Sequence, residues 1–176
     1  AVAAEAFAGA AFGENIIKLF RLNQQTVLVT EYKIEADDTL DGLLLADVAY
    51  GYNIVPILHQ KEGKSAKFMP TDDVSLSCGD RLVVLATMEG LKRVEVGQLD
   101  TTGQNCQVEI ESARNADASF EGGNMLARIT GCSLNDAREI MNHLPQKLPM
   151  LLYDHQAERL IRELKKAQVK ANIIDN

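Results

Sequence analysis

Asn53-Ile54-Val55-Pro56-Ile57-Leu58-His59, then Glu62-Gly63-Lys64, then Gly79-Asp80-Arg81-Leu82-Val83-Val84-Leu85-Ala86 is the stretch whose reading decides the fold. The first run is rich in β-branched and apolar residues and reads as a strand. Pro56 lacks an N–H, so this strand lies at a sheet edge or is bulged there. Glu62-Gly63-Lys64 is a turn, and residues 65–69 form the returning strand. A loop follows from Pro70 to Cys78. Gly79-Asp80 turns tightly into a strand whose apolar content marks it as buried.

Working outward, residues 26–34 form an earlier strand, Thr-Val-Leu-Val-Thr-Glu-Tyr-Lys-Ile. Asp37-Asp38-Thr39 offers N-cap side chains and Asp41 adds negative charge to a first turn, which predicts a short helix ending near Tyr50-Gly51. A helix over 89–95 closes the unit, whose order is β-α-β-β-β-α. Upstream, residues 3–20 are mostly Ala, Phe, Ile and Leu, with Ala8-Gly9-Ala10-Ala11 as a smooth face. They predict a helix that docks on another backbone.

Downstream, 97–105 contains almost nothing apolar and reads as a linker. A second unit then opens with a strand over 106–111. A helix over about 119–130, interrupted at Gly122-Gly123, ends at Gly131. Ser133 and Asp136 have capping-box spacing, and Leu134, Ala137, Ile140, Met141 and Leu144 have helical period up to Pro145. Residues 147–152 form a strand weakened by Pro149. Asp154, or the residue before it, caps an amphipathic helix with Ala157, Leu160, Ile161 and Leu164 on one face. Residues 169–174 form the last strand. The fold class is α+β, in two small α/β-layer domains. The expected boundaries are 1–25 for the leading helix, 26–96 for the first unit, 97–105 for the linker and 106–176 for a β-α-α-β-α-β unit.

Composition bounds the function. The chain of 176 residues is 46% hydrophobic and 24% charged, which is ordinary globular usage. No apolar run approaches the roughly 20 residues that cross a bilayer. The opening Ala1-Val2-Ala3-Ala4 has no basic flank before an apolar stretch, so it is expected to be an internal cut in a longer protein, not a signal peptide. Net charge is −7, and residues 26–100 hold 13 acids against 7 bases. That balance and the lack of a basic stripe argue against a nucleic-acid partner. Three cysteines, Cys78, Cys106 and Cys132, have no CxxC spacing and read as reduced thiols.

Signatures of chemistry are missing. There is no GxGxxG, GxxxxGK[ST], GxSxG or HExxH. Gly122-Gly123 reads as a packing or hinge feature. Asp37-Asp38 and Asp72-Asp73 are adjacent carboxylates that diverge in extended loops, and capping or solvation accounts for them. Asp72-Asp73 forms a weak cation site only where another chain adds oxygens. The chain is expected not to be an enzyme, with no metal.

Over 27–95 the pattern Thr39-Leu40-Asp41-Gly42, Leu44-Leu45, Tyr50-Gly51-Tyr52-Asn53-Ile54-Val55-Pro56-Ile57, Pro70 and Gly79-Asp80-Arg81-Leu82-Val83-Val84 resembles the RCK C-terminal (TrkA-C) domain. The resemblance implies that 1–25 holds a crossover helix from an upstream nucleotide-binding domain. It also implies a homodimer or higher oligomer through this domain and that helix. The parent would be a potassium channel or transport protein with a membrane pore part, and the chain would sit on the cytoplasmic side of the cell membrane without inserting. It implies no cofactor within the chain but a possible small nucleotide or cation ligand. The binding residues carried over are Ile57, His59, Gln60 and Pro70. Relatives commonly have an arginine just after the strand, where Gln60 stands here. Thr130-Gly131-Cys132-Ser133-Leu134-Asn135-Asp136-Ala137-Arg138, with Asp154 to Lys166 and Val169-Lys170, resembles the C-terminal domain of the ribosomal stalk protein, of ClpS-like fold. That implies an interaction or assembly module. The alternative for the whole is a ligand-free assembly module of a membrane transporter or antiporter.

Overall fold

The computed structural model describes residues 15–174. Two compact units divide the chain, one ending at Asp100 and the other beginning at Thr101. Both are α+β.

The first unit holds β1 (Asn15–Leu22), β2 (Gln25–Lys33), α1 (Leu45–Tyr52), β3 (Val55–Gln60), β4 (Lys67–Phe68), β5 (Arg81–Ala86) and α2 (Met88–Val96). All pairings are antiparallel, in the order β1-β2-β5-β3-β4. Alternation sets the faces. Leu28, Leu82, Val84 and Ala86 point to the side where Leu45, Val48, Tyr52, Leu91 and Val94 close the core. On the opposite face Phe20 pairs with Val27, Val55 with Leu85, and Phe68 with Leu58.

Three differences from the sequence-based expectation have local causes. The helix expected over 3–20 is a strand from Asn15 on, and its earlier part lies outside the described residues. Asn23 and Gln24 both take positive φ, the twist that joins two strands in a two-residue hairpin, so 15–22 folds back on β2. Next, α1 begins at Leu45, not at Thr39, because Asp38 spends its carboxylate on the Glu35 N–H and Asp37 sits at φ +66°. Its end is capped by Asn53 in the left-handed region. Lastly, Pro56 sits where the β3–β5 register slips, and β4 pairs only with Leu58 and His59. The missing N–H is thereby accommodated.

The second unit holds β6 (Gln104–Ala113), α3 (Ala116–Thr130), α4 (Leu134–Asn142), β7 (Gln146–Lys147), β8 (Leu152–Tyr153), α5 (Asp154–Lys166) and β9 (Val169–Ile174). The central β6 pairs antiparallel with β7, β8 and β9. The single strand expected over 147–152 is two short ones, split around Pro149. α3 starts three residues earlier than expected, because the Asn115 side chain accepts from the Ala118 N–H at 2.8 Å. It runs unbroken through Gly122-Gly123. Ser133 caps α4 as its spacing predicts, accepting from the Asp136 N–H and donating to the Asp136 carboxylate. Buried Gln156 ties α5 to the end of α3 by donating to the Ile129 carbonyl at 2.9 Å. The expected linker is shorter: Leu99 packs on the first core, the Asp100 N–H bonds Gly51, and β6 starts at Gln104.

Candidate functional site

The β3–β4 hairpin builds a small cavity. Its turn closes with the Lys64 N–H on the Lys61 carbonyl at 3.0 Å, and Gly63 takes φ +71°. Glycine reaches that region without strain. The Gln60 amide donates to the Lys64 carbonyl at 2.7 Å and staples the turn across its base. Lys61, Lys64 and Lys67 therefore project around one opening. With His59, Ser65 and Val74 they line a cavity of about 240 Å³.

His59 forms the inner wall. It pairs with Leu82 on the core side of the sheet and is 4% exposed. Its Nε2 lies 2.9 Å from Oδ2 of Asp80, which is 3% exposed. The same Oδ2 accepts from the Ser77 N–H at 3.2 Å. The carboxyl group is thus bonded twice, as a buried polar group requires. The pair fastens the end of β3 to the entry of β5. Gly79 at that entry has φ +89°, and a Cβ there would come within 2.6 Å of a Glu62 carboxylate oxygen. Glu62 of the turn therefore lies directly on the Gly79-Asp80 corner. Arg81 pairs with Glu31 on the other face of the sheet.

Of the four residues predicted as ligand contacts, the structure places His59 on the cavity. Gln60 is spent on the turn. Ile57 gives its carbonyl to the Met69 N–H, Pro70 is half-buried, and neither lines the cavity. Sequence reasoning missed Lys61, Lys64 and Lys67. Their signal was present: three of the seven bases of an acidic half fall within seven residues. Each ammonium brings donors and no acceptor. Three around one mouth suit an anion such as phosphate or carboxylate.

Other candidate groups stay apart. Thr71 donates to Asp73, and the charge of Asp72 acts on Tyr50, whose hydroxyl is pushed up first by burial and then by that carboxylate. Among the described residues no cluster of three His, Cys, Asp or Glu is placed to hold a metal ion. No described helix is long and apolar enough to cross a membrane. The Cys106 thiol donates to Asp154 at 2.9 Å and is pushed up to about 11, chiefly by that bond. Such a thiol is a poor nucleophile at neutral pH. No protein-family model matches the chain, and no curated protein matches it.

Proposed function

We propose that the chain is the regulatory region of a potassium channel or potassium transport protein, with the first unit as an RCK C-terminal-like domain that binds a small anionic ligand. The observation that carries the ligand is the lysine-rimmed cavity in an otherwise acidic half. The potassium assignment is supported by the residue pattern over 27–95 and by the β-α-β-β-β-α order from β2 to α2. The second unit, read as ClpS-like, has the β-α-α-β-α-β order with its fourth element divided, and serves assembly. A thermal-shift series on the chain, with cyclic dinucleotides, adenine nucleotides, inorganic phosphate and calcium, tests the reading. A ligand that binds the native state raises the midpoint. The expected result is a rise with a phosphate-bearing ligand that is lost in Lys61→Ala/Lys64→Ala/Lys67→Ala. No rise with any of the panel, or a rise that survives the triple variant, overturns it.

A ligand-free assembly role is favoured by a different observation. The sheet face away from the helices carries exposed apolar side chains, with Phe20 37%, Val55 52% and Phe68 77% exposed. A second copy of the chain is the occupant expected there, as the dimer of the RCK C-terminal resemblance implies. Sedimentation of the chain decides: a Val55→Glu/Phe68→Glu variant should be monomeric where the parent is dimeric. A monomeric parent at high concentration removes the dimer.

A further inference from the structure

We infer that the cleft between α3 and α4 in the second unit binds a small carboxylate with an apolar body. This rests on residues of that unit alone and is independent of the lysine-rimmed cavity.

α3 packs on α4 at Gly122 and Gly123. A Cβ at Gly122 would lie 2.8 Å from Cε of Met141, and one at Gly123 in ordinary contact, 3.7 Å, with Cγ of Arg138. Ala116 and Phe120 of α3 and Met141 of α4 line the opening beside this contact. Ser119 donates to the Met141 carbonyl at 3.3 Å and fixes the two walls. The result is a cleft of about 280 Å³ lined by Ala116, Ser119, Phe120, Arg138, Met141 and Asn142. That is just below the usual range of small-molecule pockets, so its occupant is small.

Two features select the ligand. Phe120 is 54% exposed and lines the rim, so its ring is open to a ligand. The Arg138 guanidinium carbon stands 5.4 Å from the centre of its ring. This holds the guanidinium at the mouth, as cation–π contacts do. The acids nearest in sequence to Phe120 and Arg138, namely Asp117, Glu121, Asp136 and Glu139, make no ion pair with Arg138 among the described residues. Asp136 is occupied by Ser133. A guanidinium held over a ring, without a carboxylate of its own, offers a planar two-donor fork to an anion. The Asn142 amide adds a donor and an acceptor beside it. The apolar walls take a ring or branched chain, and Arg138 takes the carboxylate. A free organic acid and the C-terminus of a peptide share this chemistry.

Amide-resolved NMR of the whole chain tests the assignment. Phenylacetate is the first probe, with phenethyl alcohol as the same ring without charge and acetate as the charge without a ring. The tripeptide Gly-Gly-Phe, with a free or an amidated C-terminus, separates a chain end from a free acid. Phenylacetate should move the amides of Ser119, Phe120, Arg138 and Met141, and both controls should bind at least roughly tenfold more weakly. Arg138→Gln and Phe120→Ala should each weaken binding by roughly the same factor, with Arg138→Lys losing less. Tighter binding of the free-terminus peptide than of phenylacetate points to a chain end, and the reverse to a free acid. Equal binding of phenethyl alcohol overturns the inference, as does phenylacetate binding unchanged in Arg138→Gln. So does a phenylacetate titration that leaves those four amides unmoved.

Discussion

Alanine at Gly122 and at Gly123 should move stability in opposite directions. Both glycines lie inside α3, where replacing glycine by alanine is worth about 1 kcal/mol from backbone entropy and helix propensity alone. At Gly123 the added methyl would find its nearest neighbours at 3.7–3.9 Å, an ordinary contact distance. The full gain of about 0.5–1 kcal/mol is therefore expected. At Gly122 the methyl would stand 2.8 Å from Cε of Met141 and 3.0 Å from Cγ2 of Val169. Met141 can swing its terminal carbon away. Val169 is 3% exposed in strand β9 and is stiff at its branched carbon, so it cannot. Overpacking of this kind costs about 1–3 kcal/mol. Set against the propensity gain, it leaves Gly122→Ala destabilised by about 1 kcal/mol and the two variants about 2 kcal/mol apart. The chain has two units, so one global midpoint would mix their transitions. Urea titrations followed through amide signals of β6, α3 and β9 isolate the second unit. Equal stabilisation by both variants would refute the packing argument. So would a loss at Gly123 as large as that at Gly122.

Three further outcomes follow from single contacts. The bond to Asp154 that holds the Cys106 thiol near 11 keeps its thiolate scarce at pH 8. In a Cys78→Ser/Cys132→Ser background, Asp154→Asn should therefore speed alkylation of Cys106 by about tenfold or more, and an unchanged rate would remove Asp154 as the cause. Because the folded thiol titrates above the unfolded one, its contribution to stability is complete below about pH 9 and fades as the pH climbs toward 11. His59→Ala strands the Asp80 carboxylate with only the Ser77 N–H, which should cost about 3 kcal/mol in urea unfolding of the first unit. Asp80→Ala in the same background should then add much less than it does alone. Thr30 is fully buried, and its hydroxyl finds no hydrogen-bond partner among the described residues. Thr30→Val should raise the stability of the first unit by about 1 kcal/mol, and a loss would mean that the hydroxyl is bonded.

What the sequence disclosed followed the range of the interactions. Ser133 capping Asp136, Gly131 ending α3 and Pro56 forcing a bulge are decided within a few residues, and each is readable from residue chemistry. The first strand was missed because the run of Ala and Gly before it looks helical and continues visually into Asn15–Leu22. Only pairing with β2 makes that segment extended, and its one local sign was the Asn23-Gln24 pair between two apolar runs. The early N-cap failed for a related reason. Asp37, Asp38 and Thr39 can cap a helix or close a turn, and the chain uses Asp38 for the turn. The candidate sites depend on longer-range closure. His59 and Asp80 are 21 residues apart and meet only because β3 and β5 pair. Lys61, Lys64 and Lys67, spaced three apart, would be a solvated stripe on a helix. On a hairpin whose turn is stapled by Gln60 they surround one cavity. Arg138 meets Phe120 only because α3 packs on α4. In both units the chemistry-bearing side chains are ordinary residue types. Backbone proximity, set by the turn at Gly63 in one and by the packing of α3 on α4 in the other, turns them into sites.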